Sequence, residues 1–232
     1  MLAVWILIGT APAWGLTDSV AVITLSRAET GARPVPVSAR FAGEEASSDT
    51  QLVTNWVVAS HDNQDLPFVI IDKTQAKVFV FDNEGRLQGA SLALLGMAHG
   101  DDSVPGIGSR KLSTIRPDER FTPAGRFVAS LGRDFEQDLL WVDYGTSVSL
   151  HRVVTGAPSD HRRERLATKS ALDKRITYGC INVPPGFYDG VIRKTFTGTV
   201  GVVYILPEVK AIADVFPITD VGAPRRQTGR AD

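Results

Sequence analysis

The chain has 232 residues, 43% of them hydrophobic and 22% charged, which suffices for one well-buried core with extensions. A formal net charge of −1 and a pI near 6.4 leave no global basic field, which argues against nucleic acid or an anionic membrane surface as the target. The 21 Gly and 13 Pro are spread along the chain, as expected of many turns between short strands, and there is no internal repeat.

From the N-terminus, Met1 to Thr17 carries no charged side chain, and Leu2 to Ile8 is a compact apolar run. Ala11-Pro12-Ala13 then offers a small-x-small cleavage pattern, so residues 1–15 read as a signal peptide and the protein as exported, to the periplasm or cell envelope. The run falls short of the roughly 20 apolar residues of a membrane span; its other reading is a buried strand or helix. Residues 16–65 form an N-terminal extension. Val20 to Leu25 suits a short strand, a Gly/Pro-punctuated linker runs through Pro36, and Glu44 to Ser60 predicts a helix. Leu52, Val53, Trp56 and Val57 fall on one face of that helix, with Ser47, Ser48 or Asp49 as its cap.

Residues 66–207 read as the main domain. Phe68 to Ile71 and Lys77 to Phe81 are β-branched and aromatic runs, Asp82 to Gly85 is a turn, and Leu87 to Leu95 is the returning strand. Residues 100–118 form a long loop. Phe127 to Leu131, Leu139 to Asp143, Val148 to His151 and Val200 to Leu206 supply further strands. Residues 208–232 are a tail, polar and Arg-rich from Arg225 and expected to be partly disordered. Many short strands with few helices predict a mainly β, sandwich or barrel-like domain.

Cys180 is the one cysteine, so an exported chain of this kind has no internal disulfide to make with it. It is either inert and buried or a working thiol, and its surroundings favour the second. In Thr177-Tyr-Gly-Cys-Ile-Asn182, Gly179 permits a tight backbone before the thiol, leaving amides free to face a developing oxyanion. A thiol attacks as thiolate and needs an imidazole nearby. His151, at the end of a strand-like run, is held better than a loop residue. His161 sits nearer in sequence, but within Ser-Asp-His-Arg-Arg-Glu-Arg, a solvated stretch. His61 and His99 have no partner pattern. Cys180 and scattered His make no zinc set, and Pro105-Gly-Ile-Gly108 lacks the features of a phosphate loop, so neither metal nor cofactor is expected.

These segments resemble the L,D-transpeptidase catalytic domain (the YkuD-like fold). Its signature is a strand-end His, a variable loop, then Ser/Thr-His-Gly-Cys, an apolar residue and Asn or Arg. Thr177, Gly179, Cys180, Ile181 and Asn182 stand in register with it, and Thr122-Pro-Ala-Gly-Arg-Phe127 matches the family's Thr-Pro-x-Gly-x-Phe segment. The resemblance covers about residues 66–207. It implies an L,D-transpeptidase-like β-sandwich or barrel-like domain behind a short helical extension. It also implies acyl transfer from a peptidoglycan stem peptide through a Cys180 thioester to an amine, with His151 as base and the carbonyl of Arg152 orienting its ring. Thr177, Tyr178 and Asn182 then fall on the substrate side. Tyr178 replaces the family's second His, and either packs or bonds to substrate. The stretch from His151 to Thr177 is longer than the family's usual gap, which His161 fits better, so His151 is favoured as base by its strand-end context and not by spacing. The stretch carries Arg162, Arg163, Arg165, Lys169, Lys174 and Arg175 against Asp160, Glu164 and Asp173. Most of these belong to a solvated flap, with Arg175 the nearest candidate for a stem-peptide carboxylate. Stem peptides are the expected partner, with no nucleic acid and no protein partner. The alternatives are an L,D-carboxypeptidase or amidase using the same thioester, or a non-catalytic peptidoglycan-binding protein.

Overall fold

The computed structural model describes residues 39–134, 137–154 and 156–218; the expected signal segment, the 20–25 strand and the Arg-rich tail lie outside these. Helix α1 runs Ser48–Ser60, shorter at its start than the sequence suggests, because Ser47 takes the cap and accepts from the Thr50 amide. Ser47 and Thr50 also donate to the buried Asp72 at 2.5 and 3.0 Å, which ties the helix start to the first strand. Val53, Trp56 and Val57 face inward as expected, joined by Thr50, Thr54 and Val58. Leu52 is instead 45% exposed, since the inward stripe turns away from it.

The strands are β1 Phe68–Asp72, β2 Lys77–Phe81, β3 Leu87–Leu92, β4 Leu95–Gly96, β5 Gly125–Asp134, β6 Gln137–Asp143, β7 Val148–Arg152, β8 Arg175–Thr177, β9 Ile181–Val183 and β10 Val200–Ile205. Eight of them form one sheet in the order β3-β2-β1-β10-β5-β6-β7-β9, and β4 pairs with β8. The pairs β1–β10 and β7–β9 are parallel, and the other neighbours in the large sheet are antiparallel. The strand expected over 87–95 therefore breaks: its first part stays on β2, and Leu95–Gly96 leaves to join β8. Between the two, Leu94 and Asn182 exchange backbone hydrogen bonds of 2.8 and 2.9 Å. That bridge links the chain leaving β3, at one edge, to β9 at the other, and curls the sheet toward a nearly closed, barrel-like form.

Alternation explains the two cores. Val69 and Ile71 point into the curl with Val78, Val80, Leu140, Leu150 and Ile181. Phe68 and Ile70 point the other way, where Phe79, Phe81 and Tyr204 meet Val53, Trp56 and Val57 of α1. Burying each such large side chain contributes about 1.5–3 kcal/mol before entropic costs. The 100–118 loop is present, tightened by 3₁₀ turns over Ile107–Ser109 and Leu112–Thr114. Between β7 and β8 lies the basic insertion, with a short helix α2 at Arg162–Ala167. Among the described residues no helix is long and apolar enough to cross a membrane.

Candidate active site

The site is built by the register of two neighbouring strands. In β7, Ser149 and His151 lie two residues apart and so share one face. β9 runs parallel beside it, pairing Leu150 with Ile181 and His151 with Asn182. Cys180, one residue before β9, is thereby set next to Ser149, with Sγ and Oγ 3.6 Å apart, and near the His151 ring. Burial pushes the Cys180 thiol up, but His151 and the Ser149 hydroxyl and amide outweigh it and leave the thiol below its ordinary value. The reciprocal holds for His151: burial lowers it, and the neighbouring Cys180, then the Arg152 carbonyl, raise it overall. Both shifts favour thiolate beside imidazolium.

The imidazole is fixed at both nitrogens. Nδ1 lies 2.8 Å from the Arg152 carbonyl, so Nδ1 carries the proton and Nε2 is the basic nitrogen. Nε2 in turn lies 3.0 Å from the Asn182 side-chain amide. The Arg152 side chain points elsewhere, bonding Asp138 at 2.9 Å and Asp189 at 2.6 Å over the Tyr188 ring, and so clamps the end of β7 to β6 and to the helical run 185–196.

Gly179 has φ +134, and a Cβ there would stand 2.6 Å from the Phe121 carbonyl, so only glycine fits. Its carbonyl accepts from Thr122 Oγ1 at 2.9 Å, and that same hydroxyl accepts from the Gly96 amide at 2.8 Å. With the Gly179 carbonyl held by Thr122, the Cys180 N–H lies on the opposite side of the trans peptide and faces away from Thr122. The Gly179 amide, by contrast, is taken by Thr177 Oγ1 at 3.2 Å, so of the adjacent pair only the Cys180 amide is left that could face an oxyanion.

The thiol opens on a cleft of about 590 Å³, lined by Leu112, Leu139, Trp141 and Val154 on its apolar side and by Ser147, Ser149, His151, Asp134 and Gln137. Of the residues expected at substrate, Tyr178 is half-buried, its ring under the Arg120 guanidinium at 3.8 Å. Thr177 is buried and bonds the Cys180 carbonyl at 2.7 Å, locking the turn around the thiol. Asn182 is buried against His151 rather than open to the cleft. Arg175, expected at substrate, is instead 8% exposed, with both terminal nitrogens bonded to Glu208 and to the carbonyls of Lys73 and Gly96, and it is not among the residues lining the cleft. His161 is exposed at the N-terminal boundary of α2, where its side chain makes no capping hydrogen bond, and it is not among the groups that shift the Cys180 thiol.

Sequence reasoning missed Thr122, Ser149 and Lys73. Thr122 was visible as the first residue of a matched motif, and Ser149 by its two-residue spacing from His151. Lys73 carried no signal. It is fully buried and donates to Asp101, to the Gly100 carbonyl and to the Thr122 carbonyl at 2.7, 2.6 and 3.0 Å. Among the described residues no group of three or more His, Cys, Asp or Glu is placed to hold a metal ion.

No family model and no curated protein matches this chain. Among solved structures it is similar to the helical cell shape determining protein Pgp2 from Campylobacter jejuni, at 14% identity and TM-score 0.41, over 68% of this chain and 57% of that one. It is similar also to an L,D-transpeptidase from Mycobacterium smegmatis, at 14% identity and TM-score 0.34, over 60% and 58%. The chain thus spans under two thirds of the length of either. The catalytic domain of the E. faecium L,D-transpeptidase matches at 16% identity and TM-score 0.36, over 61% of this chain and 98% of that one.

Proposed function

We propose that this chain is a cysteine L,D-transpeptidase acting on peptidoglycan stem peptides. The carrying observation is the Cys180 thiol held below its ordinary value beside His151, whose Nδ1 proton is fixed on the Arg152 carbonyl. His151 Nε2 takes the thiol proton, and the thiolate attacks the amide carbonyl of the stem's diamino acid. The carbonyl oxygen becomes an oxyanion facing the Cys180 amide. The C–N bond then breaks, His151 returns its proton to the leaving D-amino acid, and a thioester remains. An acceptor amine attacks that thioester, loses its proton to Nε2, and the new amide departs as the thiol is restored.

The motif around Cys180 and the matched Thr122 segment support this substrate class, and the mostly apolar cleft suits an extended peptide. Export to the cell envelope belongs to the same reading, since the polymer lies there and the N-terminal segment is apolar and uncharged. Mass spectrometry of muropeptides after incubation tests it: new cross-links are expected. Stems trimmed without cross-links would place water as the acceptor, and an unchanged mixture would leave a binding protein.

A further inference from the structure

Arg162 opens α2 in the insertion between β7 and β8, yet its side chain is only 13% exposed. Its Nε is held by Asp160 at 3.0 Å, and its Nη1 donates to Asn182 Oδ1 at 3.2 Å. A primary amide has one accepting end and one donating end, whereas a guanidinium only donates. With Arg162 on the oxygen, Asn182 must turn its Nδ2 toward His151 Nε2, where it lies at 3.0 Å. The Nδ1 proton already rests on the Arg152 carbonyl, so the amide donates into the one lone pair of the neutral ring. A proton on Nε2 would put two donors face to face. This one contact therefore opposes the imidazolium formed when the thiol gives up its proton, against the pull of Cys180 and the Arg152 carbonyl that favours it.

We propose that Arg162 is a positioning residue that, through the amide of Asn182, restrains the protonation of His151 that Cys180 favours, and that its release lets the amide turn and accept from the protonated ring. This rests on the Cys180–His151 pairing of the reading above. The other groups facing His151 are Cys180 and Ser149, with Asp160 behind Arg162, and Asp138 and Asp189 engaged by Arg152. None of these four carboxylate or hydroxyl groups bonds the Asn182 amide, so the latch runs through Arg162. Burial lowers the His151 pKa, Cys180 and the Arg152 carbonyl raise it overall, and the positive charge of Arg162 works against them.

The test is the pH dependence of Cys180 alkylation by iodoacetamide in the full chain. Losing a nearby cation would by itself destabilise a thiolate and move the thiol pKa up. Releasing the amide moves it down, so the sign separates the two. Arg162→Ala is expected to lower the apparent pKa by about half a unit, roughly a threefold gain in rate on the acid limb. Arg162→Lys, which still donates to the amide oxygen, should return the profile toward wild type. In an Asn182→Ala background, Arg162→Ala should no longer lower the pKa. Should that buried variant fail to fold, the 15N shifts of His151 in Arg162→Ala alone must show Nε2 protonated to a higher pH. An upward or absent shift in Arg162→Ala overturns the latch. A wild-type profile that His151→Ala leaves unchanged overturns the dyad instead, so the two failures are distinguishable.

Discussion

At the scale of single residues, the thiol's chemistry depends on neighbours two strands supply. His151→Ala removes both the proton acceptor and, once charged, the cation beside the thiolate. Because His151 and Ser149 are what hold the Cys180 pKa down against burial, it should rise toward or above ~8.5, the value of a free thiol. Acyl transfer should fall by a factor on the order of 10² or more. His161→Ala should do neither, since that ring is exposed at the start of α2. Alkylation measured against pH for both variants checks this, and a shift confined to His161→Ala would reverse the assignment. Cys180 should also be the one residue acylated by a carbapenem-type β-lactam, a reactivity implied by the resemblance of its motif. Intact mass should show one adduct on wild type and none on Cys180→Ala.

At the scale of elements, Thr122 shows how a strand-leading segment shapes the nucleophile turn from outside it. Its hydroxyl joins the Gly179 carbonyl to the Gly96 amide, and so aims the Cys180 amide. Thr122→Val keeps the shape but leaves two buried polar groups unpaired, at a cost of about 1–3 kcal/mol. Turnover should drop by roughly tenfold or more as the oxyanion donor loses its aim, while the alkylation pKa stays near wild type. A pKa shift as large as that of His151→Ala would show Thr122 acting on the thiol instead. The pattern of this region also marks what the sequence displays and what it hides. Residue types announced Cys180, Gly179 and His151, and β-branched runs announced β1, β2 and β10. The pairing of β7 with β9 did not show, because β8 and β9 are three residues each and too short for periodicity to register. Nor can composition say which cation of a basic insertion turns inward: Arg175 looked nearest to substrate and is buried on Glu208, whereas Arg162 reaches the Asn182 amide beside His151.

At the scale of the whole molecule, a buried charge network ties the chain beyond the last strand to the floor of the site. Lys73, at the end of β1, is fully buried between Asp101 and the Thr122 carbonyl. Burial pulls its pKa below the usual lysine value, and Asp101 and Glu208 work against that. Asp101 takes the backbone amides of Glu208, Val209 and Lys210 at 2.8, 2.9 and 2.7 Å, while Arg175 closes onto Glu208 and the Lys73 carbonyl. Although burial would raise the Asp101 carboxyl, Lys73 and these amides bring it down to about 2 from the usual 3.8. A carboxyl depressed on folding contributes stability that is complete above its unfolded value and disappears as pH falls through its folded one. The fold should therefore weaken between about pH 4 and pH 2, and Asp101→Asn should flatten that part of the curve while lowering stability at neutral pH. Lys73→Met strands a buried carboxylate and should cost about 3–5 kcal/mol. It also frees the Thr122 carbonyl, so turnover should fall in protein that is still folded at low temperature. Urea unfolding from pH 2 to 7 for the three proteins, with turnover measured beside it, decides the matter. If Asp101→Asn retains the full acid slope, other carboxylates carry it. If Lys73→Met loses stability but keeps wild-type turnover, the network supports the fold without reaching the oxyanion site.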